Sequence, residues 1–113
     1  EGVPGDQDLG TGKDIGVICK YLVTSSDSRW KNNIETVTDS KEIIEKMNPV
    51  YWNWNGGDET RECGLVAQDV KKITPEAVRG SEEKGYGLNY NYFIGLLMAR
   101  VKELTKEVEE MKK

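Results

Sequence analysis

The last stretch of the chain constrains its fold more than any other. From Tyr90 onward, apolar residues fall at Ile94, Leu97, Val101, Leu104, Val108 and Met111. The steps between them alternate three and four, the a and d spacing of a heptad repeat. Mixed Lys and Glu flank this stripe. A lone helix with so narrow an apolar seam would leave it wet, so the spacing predicts a coiled coil over residues 91–113. A helix docked on its own domain accounts less well for a stripe that continues to the last residues. β-branched residues at a with Leu at d lean towards two strands by the simple rule. Gly95 weakens the helix locally near its start.

Size and composition make association useful. A chain of 113 residues fits one small domain, and 36% hydrophobic content gives it a marginal core. The stabilising devices open to such a chain are disulfides, metal or a partner. Cys19 and Cys63 are the only cysteines, each in a strand-like apolar context where a buried thiol is expected rather than a bridge. With no histidine and no close cysteine pair, a zinc site would rest on carboxylates, and no metal is expected. Self-association is left. The formal charge is -4, from 16 basic and 20 acidic residues, with no basic run, so no nucleic-acid partner is expected. No apolar run reaches membrane-spanning length and no signal-peptide pattern opens the sequence, so no membrane partner is expected either.

Ahead of the terminal helix the pattern changes every ten residues or so. Residues 14–24 (DIGVICKYLVT) read as a strand, followed by the polar turn Ser25-Ser26-Asp27-Ser28. Asp39 with Glu42 three residues on resembles a capping box, opening a helix that buries Ile43, Ile44 and Met47 and stops before Pro49. Residues 50–54 (VYWNW) suit a strand, Asn55-Gly56-Gly57-Asp58 a turn, and residues 61–66 the returning arm of a hairpin. Val66, Val70 and Ile73 have helical spacing up to Thr74-Pro75, and residues 77–90 read as two short strands about a Gly- and Glu-rich turn. The fold class is α+β: short strands and small helices, then one long helix. Residues 1–13, rich in Gly and Asp, read as a loop entering from a larger protein.

Without histidine, Ser-His and Cys-His hydrolases are excluded within one chain, and a nucleophile needs lysine, a carboxylate or a metal to activate it. Ser26-Asp27-Ser28-Arg29-Trp30-Lys31 places a serine five residues ahead of a lysine. Neither a strand nor a helix puts that spacing on one face, but a turn can fold the amine back to the hydroxyl. Lysine serves as a base only when burial or a neighbouring cation lowers its pKa. Trp30 is a candidate for the burial, and Arg29 for the neighbouring charge or for an oxyanion donor. The bland alternative has Ser26 capping a turn, Arg29 paired with Asp27 and Lys31 solvated. Two other patterns carry less. Gly10-Thr11-Gly12-Lys13 fails the phosphate-loop spacing, since Gln7 stands where the first glycine belongs and Asp14 follows the lysine. Asp58, Glu59 and Glu62 read as a solvated hairpin tip.

Ser26 to Ile34 matches the S-D-x-R-x-K-x-x-I signature that opens the intramolecular chaperone auto-processing domain. The chain resembles that family, found at the C-terminal end of phage tailspikes, tail fibres and neck appendages and in some membrane-bound eukaryotic transcription factors. Later landmarks keep the family's order: Tyr51-Trp52-Asn53-Trp54, then Cys63-Gly64-Leu65-Val66-Ala67-Gln68-Asp69-Val70, Pro75-Glu76-Ala77-Val78 and Gly87-Leu88-Asn89-Tyr90. Trp30 departs from the apolar or small residue usual at its position. The resemblance spans Ser25 to the chain end.

The resemblance implies that the terminal helices form a trimeric coiled coil and that residues 26–113 are the chaperone domain. Residues 1–25 are then the end of the parent protein, containing the cleavage-site strand. It implies Ser26 as nucleophile on the peptide bond between Ser25 and Ser26, and Lys31 as general base. Asp27 and Arg29 fill the remaining signature positions, Arg29 for positioning or charge stabilisation. The expected partners are two further copies of the chain and the upstream parent segments. The motif needs no cofactor and leaves a nucleotide open. The expected setting is the host cytoplasm during virion assembly, with the parent in the tail or an appendage. A trimerisation or interaction module that never cuts is the alternative. A domain regulating a eukaryotic DNA-binding factor is a weaker third, since neither a basic domain nor a membrane span is visible.

Overall fold

Helical periodicity switches on where the sequence supplies an amphipathic face, and each short helix is stopped by an identifiable feature. In the computed structural model, which describes residues 16–113, helix α1 is Ser40–Lys46 and ends ahead of Pro49. Its apolar residues Ile43, Ile44 and Met47 pack against the core as expected. The capping box does not form: Asp39 stands at the N-cap but its side chain makes no capping bond. Hairpin one pairs β1 (Val50–Trp52) with β2 (Glu62–Gly64) antiparallel, Tyr51 facing Cys63. Its turn is closed by Gly57 N–H donating to the Trp54 carbonyl at 3.2 Å. Helix α2 (Ala67–Ile73) ends at Thr74, and a short 3-10 turn, Pro75–Ala77, begins on the proline.

Hairpin two pairs β3 (Val78–Ser81) with β4 (Gly85–Leu88). Gly80 has φ +109, and a Cβ there would collide with the Gly85 carbonyl oxygen, so only glycine fits this register. Helix α3 (Tyr90–Met111) starts under an Asn89 cap, whose side-chain oxygen accepts from Asn91 N–H at 3.2 Å. At 22 residues it is roughly 33 Å long. The core is small and lies at its N-terminal end. Val70, Ala77, Phe93 and Leu96 are buried, with Leu65, Val78, Leu88 and Tyr92 packed around them.

Helix α3 has two faces with different fates. Phe93 and Leu96 turn into the domain. Ile94, Leu97, Val101, Leu104, Val108 and Met111 turn away from it and are between 43% and 84% exposed. The seam is therefore not the surface by which the helix docks on its own domain. No helix among the described residues is long and apolar enough to cross a membrane.

Two further expectations fail. The strand over 14–24 does not form over residues 16–24, its first two residues lying outside the described part. Val17, Ile18, Leu22 and Val23 are each at least 80% exposed. Their apolar character suits a strand, but a strand is stable only with a ladder partner, and no described residue pairs with them. The cysteines are also not buried: Cys19 lies on that unpaired segment, Cys63 points out of a two-stranded hairpin, and both are free and exposed. A two-stranded sheet covers one face at most, so alternate residues meet solvent. The rejected Gly10 to Lys13 pattern lies outside the described residues.

Candidate active site

The turn after residue 25 is built by an aspartate. Asp27 is extended, with φ -68 and ψ 131, and caps a single 3-10 turn, Ser28–Trp30. Its Oδ1 accepts the Arg29 backbone N–H at 2.8 Å, which satisfies a donor that has no helical partner. The Arg29 guanidinium folds back onto the same carboxylate, Nε donating to Oδ1 at 3.0 Å and Nη2 to Oδ2 at 2.8 Å. Trp30 N–H donates to the Asp27 carbonyl and Lys31 N–H to the Ser28 carbonyl, each at 3.1 Å. One tight reversal thus separates residue 26 from residue 31. It turns a five-residue spacing into a contact: Lys31 Nζ lies 2.6 Å from Ser26 Oγ.

The four candidate residues are therefore brought together, in two pairs. Asp27 and Arg29 form the clamp that shapes the turn. The bidentate guanidinium holds the Asp27 carboxyl below its ordinary range, and the carboxylate in turn raises Arg29. This spends one N–H each of Arg29 Nε and Nη2 on its neighbour, out of the five that a guanidinium carries. Ser26 and Lys31 form the second pair, hydroxyl and amine in hydrogen-bond contact.

Solvation is the part of the expectation that fails in the single chain. Trp30 is 72% exposed, and Ser26 and Lys31 are exposed too, so the indole does not shield the amine. Among the described residues, every hydrogen bond of residues 26–31 stays within the segment. The contact of the pair is present, while no described residue buries it.

Elsewhere, Asp58 accepts Thr60 N–H at 2.9 Å and shapes the first hairpin's tip, which lowers its own pKa. It does not converge with Glu62, which lies in β2 opposite Trp52. Sequence reasoning missed Ser40, fully buried and hydrogen-bonded to Glu103 of α3. It also missed a hollow between the two hairpins lined by Trp52, Trp54, Leu65, Tyr86, Leu88 and Tyr90. The clue to the hollow was the run of aromatics Tyr51, Trp52 and Trp54 in the first hairpin. Nothing local to residue 40 signalled a partner 63 positions away.

Residues 26–79 match a peptidase-type family described as the chaperone of endosialidase. The long tail fiber protein Gp37 of Enterobacteria phage K3 is 32% identical over 112 residues, covering 92% of this chain and 9% of that protein. Gp37 of Salmonella phage S16 is 30% identical, covering 86% of this chain and 14% of its own length. A myelin gene regulatory factor-like protein of Dictyostelium discoideum is 32% identical over 82% of the chain and 11% of its own length. The chain thus spans only about a tenth of the curated relatives it matches. Since the family match opens on the residue that Lys31 contacts, and tail-fibre proteins align over most of the rest, the chain belongs to the chaperone-of-endosialidase family.

Proposed function

We propose that the chain is the intramolecular chaperone of a phage tail-fibre-type protein, whether tail fibre, tailspike or neck appendage, which trimerises its parent and then cuts itself free. The observation that carries the reading is the 2.6 Å contact between Lys31 Nζ and Ser26 Oγ, held by the Asp27 and Arg29 clamp. Ser26 Oγ attacks the Ser25 carbonyl carbon as Lys31 takes the hydroxyl proton. The oxyanion collapses, the carbon–nitrogen bond breaks, and the Ser26 nitrogen leaves with a proton returned by the lysine. Water then hydrolyses the Ser25 ester on Ser26 Oγ. Residues 1–25 remain with the parent and residues 26–113 depart. Each chain cuts once, so the gain from holding the reacting groups together supplies much of what is needed.

Assembly gives the reaction its timing. An exposed lysine is a poor base, and packing around residues 26–31 when three seams close would remove water from it. The seam and the cleavage site are thus two parts of one device, a zipper that gathers the chains and a turn that acts after they are gathered. The family's peptidase character and the tail-fibre relatives support the class of function. No step requires a cofactor, a membrane or a nucleic acid. In this reading assembly takes place in the host cytoplasm and the parent ends in the virion tail or appendage.

A module that assembles and never cuts is the second reading, favoured by the solvent exposure of Ser26 and Lys31. Intact mass separates the two. Expressed with upstream parent sequence, the wild type is expected to split between Ser25 and Ser26, and Ser26→Ala and Lys31→Ala to stay whole. A wild type that assembles yet stays whole leaves the non-cutting module.

A further inference from the structure

From residue 16 to residue 39 every side chain but that of half-buried Asp27 is exposed, and the first buried residue after the candidate site is Ser40. Ser40 is also where this segment meets the rest of the molecule through a specific bond. Its Oγ donates to Glu103 Oε1 at 3.0 Å. Arg100 Nη1 donates to the same oxygen at 3.2 Å and to Glu107 Oε2 at 3.1 Å. The Arg100 side chain is only 15% exposed. These three residues lie on α3 beyond Phe93 and Leu96, past the end of the hydrophobic core and alongside the seam residues Val101, Leu104 and Val108. The site is therefore tethered to the zipper helix itself, at a point the core does not reach.

The tether is short. From Lys31 to Ser40 there are nine residue steps, at most about 32 Å between Cα atoms when extended. Lys31 can act only within that radius of Ser40, and its direction of approach is set by how Ser40 is held. Freeing Ser40 lets the first turn of α1 fray, lengthens the tether by several residues and removes its fixed direction. Length alone lowers effective concentration by about twofold for such a change, and the lost direction adds to that.

We propose that Ser40 and Glu103 are positioning residues for self-cleavage: they lock the start of α1 onto the zipper helix, so that closing the seam brings the turn of residues 26–31 to a fixed place in the assembly. This rests on the self-cleavage reading. The role belongs to the hydrogen bonds and not to bulk, because Glu103→Gln keeps an oxygen for Ser40 and Arg100 whereas Glu103→Leu keeps the volume and loses both acceptors.

The test uses the full chain with upstream parent sequence, as wild type, Glu103→Gln and Glu103→Leu, with Ser40→Ala as a second way to cut the same bond. Three quantities are read: oligomer size by sedimentation, amide exchange over residues 38–42, and the cleavage time course by intact mass. Glu103→Leu and Ser40→Ala are expected to keep the wild-type oligomer and core protection at Val70 and Phe93. Both should speed exchange over residues 38–42 and slow cleavage at least threefold. Glu103→Gln should stay within about twofold of wild type. Cleavage by Ser40→Ala at the wild-type rate overturns the positioning role while leaving self-cleavage standing. Slowing that merely follows loss of the oligomer in both variants overturns it too, since the residues would then act on assembly. A wild type that never cuts overturns the self-cleavage reading itself, and the positioning role falls with it.

Discussion

Residues 16–39 and residues 40–96 carry similar apolar equipment and use it in opposite ways. The first region has Val17, Ile18, Tyr21, Leu22, Val23, Trp30 and Ile34, each at least 72% exposed, and Val37 at 40%. The second builds the whole core from Val70, Ala77, Phe93 and Leu96 with a ring of half-buried neighbours. Hydrophobic content does not separate them. What separates them is whether each element finds a surface to close against. Helices α1, α2 and α3 satisfy their backbones internally and need only one another's apolar faces. A strand needs a partner edge before its side chains can be counted as buried. The first region is thus the part of the described residues that finds no surface among them to close against.

The sharpest break of that comparison is a cavity on one side of it and a deletion on the other. Phe93→Ala empties the small core and is expected to cost about 3–5 kcal/mol. Ile34→Ala removes exposed surface and should move stability by less than about 0.5 kcal/mol. Urea unfolding of both variants reads the contrast. Equal losses would mean that residues 16–39 pack on the domain in solution.

The seam of α3 tests the same idea at the other end of the chain. Val101 is 60% exposed and makes no contribution to the core, so Val101→Asp should leave the domain folded. In an assembly each such position buries an apolar side chain worth about 1.5–3 kcal/mol. A buried carboxylate adds to the loss, so dissociation should weaken the oligomer by well over tenfold per chain. Sedimentation against concentration measures this. An oligomer unchanged by Val101→Asp would mean that α3 is not the zipper.

How far the sequence disclosed this division depends on the range of the interactions involved. Helix α2 was legible to the residue, because Val66, Val70 and Ile73 mark its face and Thr74-Pro75 its end. The hairpins were legible from their glycines and aromatics, and α3 from its seam. These are local signals. The strand over 14–24 was misread because β-propensity describes a willingness to pair and says nothing of a partner. The expected burial of Cys19 failed with it, whereas Cys63 is exposed on a strand that does form. At Asp39 a local rule anticipated a capping box, and the helix started there for another reason, with Ser40 held by a residue 63 positions on. The site itself lay between these cases. Spacing alone did not separate Ser26 and Lys31 from a solvated turn, and the signature drew attention to them. The reason they meet, the Asp27 cap, is a single-turn effect that becomes visible only with coordinates.

Hairpin two offers a smaller test inside the packed region. Gly80→Ala forces a side chain into a left-handed backbone conformation against the Gly85 carbonyl oxygen. The expected cost is about 1–3 kcal/mol. Gly87, a neighbour in β4 with open space around its Cβ position, should accept alanine at a small fraction of that. Thermal unfolding of the two variants reads the difference, and equal losses would mean that hairpin two relaxes away from this register.

The smallest effect is a titration, and it returns to the exposed region. The Asp27 carboxyl is held below its ordinary range, first by the Arg29 guanidinium and then by the Arg29 backbone N–H. A carboxylate with a depressed folded pKa supports its structure fully above the unfolded value, about 3.9. That support fades as pH falls through the lower, folded value. The turn should therefore keep its shape from neutral pH down to about 4 and loosen only below it. The Arg29 amide resonance reports the change directly, because that N–H donates to Asp27 Oδ1. Asp27→Asn keeps a capping oxygen, loses the titrating charge, and should flatten the curve. Bulk acid unfolding is the wrong probe, since Asp58 is also depressed, through its bond to Thr60, and titrates in the same direction at the first hairpin. Because the turn bonds only within itself, its loosening should leave the core resonances of Val70 and Phe93 unmoved. A core that shifts together with Arg29 would mean that the two regions are coupled within one chain, and that the site is not waiting for a partner to fix it.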